Sequence, residues 1–229
     1  MPTRGLRVAF DMDGTVADMH AVLTREAARL FGPVAPAHSA PTEAPPDVPV
    51  VVARDPLDLD REQLRELWAH VERTENFWTL LPEIEPGIVS RIAAIATARQ
   101  WDVLFITTRP RTAGAPVQVQ TQRWLRAHGF EYPSVCVLER SRGRLADVLQ
   151  LDAVVDDRPE NCTDVAIDSK AKPLLIWPPD AGTPPAGSDQ LGIHPVTSIS
   201  EALAWLETHD DRRSQPSLAQ SVRRFFGRD

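Results

Sequence analysis

Two aspartates near the start of the chain have the spacing of a catalytic or metal-binding pair. Asp11 and Asp13 follow a short apolar run and precede Gly14, so we predict a buried strand that ends in a tight turn. Residues i and i+2 of a strand point to one face, and the two carboxylates are therefore expected to converge. Such a pair repels unless a proton or a cation lies between its members, and Mg²⁺ suits oxygen ligands. One carboxylate would then attack an electrophile while the other carries a proton.

Two other structures could contain these residues. An acidic turn without chemistry fits the same few residues. An EF-hand calcium loop does not, because Val16 stands where that loop needs glycine and Val22 stands where it needs glutamate.

The rest of the chain predicts an α/β fold. Fully apolar strands alternate with helices, which indicates a parallel sheet covered on both faces. Strands are predicted near residues 8–10, 101–106, 134–138, 153–155 and 173–177. Helices are predicted at residues 19–31, 86–100, 118–128, 142–150, 160–167 and 199–207, with one more capped by Asp58 or Asp60.

Polar side chains cluster where three of these strands end. The clusters are Asp11 with Asp13, Thr107 with Thr108, and Asp156 with Asp157. Ligands of parallel sheets bind beyond the carboxyl ends of the strands. Unrelated surface residues would scatter to both ends, so the coincidence predicts a single site.

The spacing of the elements predicts a core domain with an inserted cap. Residues 1–15 and 91–207 are expected to form the core, and residues 16–90 a helical cap that excludes water and selects the substrate. The cap includes a proline-rich loop at residues 33–56, and residues 208–229 form a polar and basic tail. A basic amphipathic stretch at residues 217–226 suits either a terminal helix or a contact with a membrane or partner.

Composition narrows the functional class. The 229 residues carry a net charge of −7, which argues against binding a nucleic-acid polymer. No apolar run approaches the roughly 20 residues of a membrane span, and no secretory signal is expected. Cys136 and Cys162 lack metal-binding spacing and are expected to be reduced thiols of a cytoplasmic protein. Oligomeric state cannot be predicted from these features.

Together the motifs resemble those of the haloacid dehalogenase-like (HAD) hydrolase superfamily. The resemblance lies in Asp11-Met12-Asp13-Gly14-Thr15, in Thr107 at a strand end, and in the apolar strand before Asp156-Asp157. It implies a Rossmann-like three-layer α/β/α parallel sheet with a small helical cap inserted after the first strand. The segments at residues 106–110 and 156–161 are most similar to the 5′-nucleotidase branch, which includes the deoxyribonucleotidases.

The resemblance implies a role for each of these residues. Asp11 would be the nucleophile that forms an aspartyl-phosphate, and Asp13 the acid and base. Mg²⁺ would be held by Asp11, the backbone carbonyl of Asp13, and Asp157 with Asp156 beside it. Phosphate oxygens would be held by the Thr107 hydroxyl, the backbone N–H groups of Gly14 and Thr108, and the side chain of Arg109. The implied substrate is a small phosphorylated metabolite, either a nucleotide or a sugar phosphate.

The sequence departs from the family at one cation. The superfamily usually has a lysine before the last acidic motif, but residues 1–169 contain none. We expect Arg144 to take its place, with Arg140 and Arg142 as alternatives, because arginine also pairs with carboxylate and phosphate. The alternative functions are a non-catalytic or slow phosphate-binding protein and a sugar-phosphate phosphatase or mutase. Phe77 and Trp78 would either stack on a nucleobase or belong to the core.

Overall fold

The computed structural model of the chain describes residues 4–32 and 57–214. The proline-rich loop predicted at residues 33–56 lies outside these ranges, and so does the basic stretch at residues 217–226. Both stay predictions.

Strands and helices alternate along the described chain as the sequence predicts. The strands are β1 (Arg7–Asp11), β2 (Asp102–Thr107), β3 (Ser134–Val137), β4 (Ala153–Asp156), β5 (Lys172–Ile176) and β6 (His194–Val196). The helices are α1 (Met19–Phe31), α2 (Arg61–Arg73), α3 (Ile88–Arg99), α4 (Val117–Ala127), α5 (Arg142–Leu149), α6 (Pro159–Asp168) and α7 (Ile199–Ser214). Short 3-10 turns occur at Phe77–Thr79 and Pro179–Ala181.

The six strands form one parallel sheet in the order β3-β2-β1-β4-β5-β6. Strand β1 lies in the middle, with Asp11 level with Ile106 of β2 and Phe10 level with Val155 of β4. The strand order reverses between β1 and β4, which is where open α/β sheets bind ligands. The predicted Rossmann-like α/β fold with a parallel sheet is therefore confirmed.

Alternate residues of β1 pack into different cores, which gives the fold its layers. Val8 and Phe10 belong to the larger core, together with apolar residues of α3, α4 and α7. Ala9 belongs to a second core, formed with Ala146 of α5 and Val165 of α6. Because successive strand residues point to opposite faces, both faces of β1 are buried and its sequence is apolar throughout.

The insertion between β1 and β2 contains α1, α2, the Phe77–Thr79 turn and α3. An isolated bridge from Ala17 to Asp13 joins it to the turn after β1, and a second bridge from Ala17 to Glu83 lies within the insertion. The Glu83 carboxylate in turn accepts the N–H of Val89, which fixes the start of α3. The function of this insertion as a cap, and its limits at residues 16–90, stay predictions.

Two elements differ from the sequence-based expectation. Strand β6 was missed because it has only three residues and contains Pro195, which is tolerated at the edge of a sheet. Helix α7 continues to Ser214, so residues 208–214 are not part of a tail. This extension is tied to the core by Asp210, which accepts the indole N–H of Trp101 at 2.8 Å. Among the described residues, no helix combines the length and apolarity that crossing a bilayer requires.

Candidate active site

Three carboxylates meet at the carboxyl ends of β1 and β4. Asp11 ends β1, Asp156 ends β4, and Asp157 follows directly. One oxygen from each lies within 4.8 Å of the others. The sequence predicts this gathering from the parallel sheet alone, and the structure brings the three together.

Burial and mutual repulsion disfavour the charged form of these acids. The pKa of Asp11 is raised well above its usual range, first by burial and then by the charges of Asp156 and Asp157, although Arg142 opposes the shift. Burial and the charge of Asp156 raise the pKa of Asp157 to about 7. The cluster therefore holds more negative charge than its environment favours, as expected where a cation binds.

A buried arginine balances part of this charge, and it is Arg142 rather than Arg144. Its Nη1 lies 2.6 Å from Asp11 Oδ1 and 3.0 Å from Asp156 Oδ2, and neither contact has the alignment of a hydrogen bond. Burial opposes the charge of Arg142, but Asp11 and Asp156 raise its pKa. The side chain of Arg144 is 83% exposed and pairs with Asp168, so the structure does not bring it to the cluster.

The start of α5 explains why Arg142 reaches the carboxylates. Ser141 caps the helix by accepting the N–H of Arg144, which makes Arg142 the first helical residue. Asp164 of α6 then accepts the Ser141 hydroxyl and the Gly143 N–H, one on each side of Arg142. A Cβ on Gly143 would lie 2.2 Å from the backbone oxygen of Asp164, so the close contact of α5 with α6 requires glycine.

The second motif aspartate is held away from the cluster by Arg109. The Nε and Nη2 of Arg109 donate to both carboxylate oxygens of Asp13, at 2.7–2.9 Å. Thr107 Oγ1 donates to Asp13 Oδ2 at 3.3 Å and accepts the backbone N–H of Arg109. Both Thr107 and Arg109 were expected to hold phosphate. The structure shows them bonded to Asp13 instead.

Gly14 has a different use from the one expected. Its backbone N–H donates to Ala17 O at 2.9 Å, so that donor is already engaged. Its φ is +87°, and a Cβ would lie 2.4 Å from Asp157 Oδ2. Glycine therefore allows both the turn and the close approach of the Asp157 carboxylate. Thr108 lies half-buried beside Thr107 at the same strand end.

Comparisons with known proteins identify the fold. No protein-family profile and no curated protein sequence matches the chain. Several solved structures match, with probability 1.00. The structure of a dehalogenase with an intermediate complex is 12% identical to this chain in sequence and superposes with a TM-score of 0.51. The alignment covers 89% of this chain and 98% of the dehalogenase. A HAD family hydrolase from Deinococcus radiodurans with bound phosphate and sodium is 15% identical, with a TM-score of 0.51 over 88% and 96% of the two chains. CbbY from Rhodobacter sphaeroides in complex with phosphate is 16% identical, with a TM-score of 0.50 over 89% and 99%. The chain has the HAD fold.

Within this HAD fold, two further polar residues support the acidic cluster; Thr15 was given no role from sequence, whereas Asn161 was expected to cap α6 or to support the site. Thr15, fully buried, donates its hydroxyl to Asp157 Oδ1 at 3.3 Å. Asn161 donates its amide to both oxygens of Asp156, at 3.0 and 3.1 Å. Each orients one carboxylate. The signal for Thr15 was its place directly after Gly14, and the signal for Asn161 was its place in the first turn of α6.

The donor set of this HAD-fold site fits a hard divalent cation. Oxygen ligands from Asp11, Asp156 and Asp157 converge, and burial together with the neighbouring negative charges raises the pKa values of Asp11 and Asp157. The thiol of Cys162 contacts the backbone oxygen of Asp156. Burial raises the pKa of this thiol, so Cys162 suits neither metal binding nor nucleophilic attack.

Proposed function

We propose that the protein is a Mg²⁺-dependent phosphomonoester hydrolase that acts through an aspartyl-phosphate on Asp11. The observation that carries this proposal is the convergence of Asp11, Asp156 and Asp157 at the switch point of the sheet, with Arg142 against Asp11. Arg142 opposes the rise in the pKa of Asp11, and a bound cation would favour the same anionic form, which is the form that acts as a nucleophile. The phosphate-bound structures of the same fold are consistent with this site.

The chemistry follows from the positions of the two motif aspartates. Arg142 pairs with Oδ1 of Asp11, which leaves Oδ2 to attack phosphorus. A bond forms between Asp11 and phosphorus as the bond to the ester oxygen breaks. Asp13 gives its proton to that leaving oxygen. Asp13 then takes a proton from a water molecule whose oxygen attacks the aspartyl-phosphate, so inorganic phosphate leaves and Asp11 is restored.

The cation would be held by Asp11 and Asp157, with Asp156 beside them and the backbone carbonyl of Asp13 as a further ligand. When bound, Mg²⁺ supplies positive charge for the phosphate oxygens. Arg142 adds a fixed positive charge next to the nucleophile. The backbone N–H of Thr108 stays our proposed contact to a phosphate oxygen, whereas the Gly14 N–H and the Thr107 hydroxyl are engaged elsewhere.

We propose a small phosphate monoester as substrate, with a nucleoside 5′-monophosphate as the first compound to test and sugar phosphates as the second class. Phe77 and Trp78 are 1% and 0% exposed and pack edge to face, so they belong to the core and do not offer a surface for stacking a base. The burial of Phe77 and Trp78 removes one argument for a nucleotide substrate. The site therefore favours nucleotides no more than sugar phosphates.

Turnover of p-nitrophenyl phosphate with and without Mg²⁺ tests the proposal. Asp11→Asn should abolish turnover, and acid-quenched wild-type enzyme should carry phosphate on the peptide that contains Asp11. The matched control is Asp102→Asn at the start of β2, at the other end of the strands from the acidic cluster. The Asp102 side chain is 75% exposed and pairs with Arg7. Absence of turnover over a panel of nucleotides and sugar phosphates would refute the hydrolase. Tight phosphate binding without turnover would favour the non-catalytic alternative, and isomerised phosphate ester would favour a mutase.

A further inference from the structure

Arg109 lies at the edge of the site, and its side chain is shielded from solvent. Its side chain is 0% exposed, and that of Asp13 is 7% exposed. Three hydrogen bonds from the guanidinium reach the Asp13 carboxylate, so the fork geometry of arginine sets the plane in which this carboxylate lies.

The guanidinium is itself fixed from other directions. Its Nη1 donates to Thr121 Oγ1 of α4 at 3.1 Å, and its backbone N–H donates to Thr107 Oγ1. Its central carbon lies 5.0 Å from the centre of the Trp78 ring, which is the distance of a cation–π contact. A side chain held on several sides and fully buried cannot swing towards a substrate.

Trp78 comes from the insertion, and its own position is set by hydrogen bonds to the core. Its indole N–H donates to Pro110 O at 2.9 Å, and its backbone N–H donates to Gln120 Oε1 at 3.1 Å. Nearby, Asn76 N–H donates to Ala113 O at 2.8 Å. The insertion is therefore joined to the loop between β2 and α4, and this contact lies directly over Arg109.

We infer that Arg109 is a positioning residue that fixes the direction of the Asp13 carboxylate, and that Trp78 of the insertion fixes Arg109. The inference rests on the proposed function, because it takes Asp13 as the group that protonates the leaving oxygen. It assigns Arg109 no contact with phosphate, and it makes the placement of the insertion a condition for acid–base chemistry at Asp13.

A comparison of leaving groups separates positioning from a merely structural role. Nitrophenolate departs with little help from an acid, whereas phenolate needs more, so p-nitrophenyl phosphate depends less on Asp13 than phenyl phosphate does. Arg109→Lys keeps the charge and loses the fork. We expect the ratio of kcat/KM for p-nitrophenyl phosphate to that for phenyl phosphate to rise about tenfold or more, within the range that general acid catalysis contributes.

The contact between the insertion and α4 offers a matched pair of tryptophans, one on each side. Trp78→Phe removes the indole N–H and weakens the contact with Arg109, so it should raise the same ratio by a smaller factor. Trp124 of α4 donates its indole N–H to Leu81 O of the insertion at 2.7 Å, but its ring lies against His128. Trp124→Phe should leave the ratio unchanged. Equal loss for both substrates in Arg109→Lys, or the same change of ratio in Trp124→Phe, would overturn the inference.

Thermal unfolding tests the contact between Arg109 and Asp13 without an activity assay. Asp13→Asn replaces one oxygen that accepts from the buried guanidinium by an amide group that cannot accept, and Arg109→Gln removes the guanidinium. The double variant should therefore melt no lower than Asp13→Asn alone, whereas additive losses in melting temperature would overturn the contact on which the inference stands. If the wild type hydrolyses neither ester, the proposed function fails, and this cycle still decides whether Arg109 acts on Asp13.

Discussion

Replacing Arg142 by glutamine removes the positive charge that lies against both Asp11 and Asp156. The side chain is 3% exposed and lies 2.6 and 3.0 Å from these carboxylates, so its loss leaves two buried acids without this counter-charge. Breaking a buried ion pair from one side costs about 3–5 kcal/mol. That is a large share of the 5–15 kcal/mol by which domains are stable, and we expect the unfolding free energy of metal-free protein to fall by this amount.

Mg²⁺ should raise the unfolding free energy of Arg142→Gln by more than it raises that of the wild type. A ligand that binds only the folded state at 100 times its Kd stabilises by about 2.7 kcal/mol. Without Arg142 the acidic cluster attracts a cation more strongly, so the gain at a given Mg²⁺ concentration should be larger in Arg142→Gln. Turnover in Mg²⁺ should still fall, because the ion does not replace the contact of Arg142 with the nucleophile.

Urea unfolding in EDTA and in Mg²⁺ measures both effects, and the neighbouring turn of α5 supplies the control. Arg144→Gln makes the same change at an 83% exposed side chain, where substitutions alter stability by about 0.5 kcal/mol or less. If Arg144→Gln destabilises the protein as much as Arg142→Gln, or if Arg142→Gln unfolds like the wild type, then the assignment of the buried cation is wrong.

Three further predictions concern the same cluster. Because the pKa of Asp157 is about 7 in the folded protein against 3.8 when free, its contribution is fully present below pH 4 and is lost as the pH rises through 7. The melting temperature in EDTA should therefore fall over this window, and Asp157→Asn should flatten the profile. Gly14→Ala adds a Cβ against Asp157 at positive φ, so it should cost about 1–3 kcal/mol in urea unfolding and weaken Mg²⁺ binding in calorimetry; unchanged Mg²⁺ affinity would contradict the geometry. Gly143→Ala presses α5 against Asp164 O, so it should cost about 1–3 kcal/mol and lower kcat by displacing Arg142; a crystal structure with Arg142 unmoved would refute the second effect.

The acidic centre could be predicted because a parallel sheet brings the carboxyl ends of its strands to one edge. The apolar runs before Asp11 and Asp156 identify two buried strands, and this alone predicts that the two aspartates lie close together. The cation could not be assigned in the same way, because Arg140, Arg142 and Arg144 are identical in type and two residues apart. The start of α5 decides among them. Gly143 was the overlooked signal, since a glycine inside a helix often indicates close packing against another backbone.

The partner of Arg109 was harder to foresee. Its place at a strand end predicted a site residue, but its contact with Asp13 depends on Trp78, which comes from a different part of the chain. Local patterns carry no information on how an insertion packs on a core. The same limit explains why Phe77 and Trp78 could be read either as core residues or as a surface for a nucleobase.

The central position of β1 has a consequence for how the protein is made. The N–H of Arg7 bonds to the carboxylate of Asp152, which lies 145 residues later, and Val8 pairs with Ala153. During translation one side of β1 can pair with β2, but its other side stays unpaired until β4 has left the ribosome. Contacts so distant in sequence slow folding, and the nascent segment is then a natural client for a chaperone. The cluster of Asp11, Asp156 and Asp157 can therefore form only after β4 has docked beside β1.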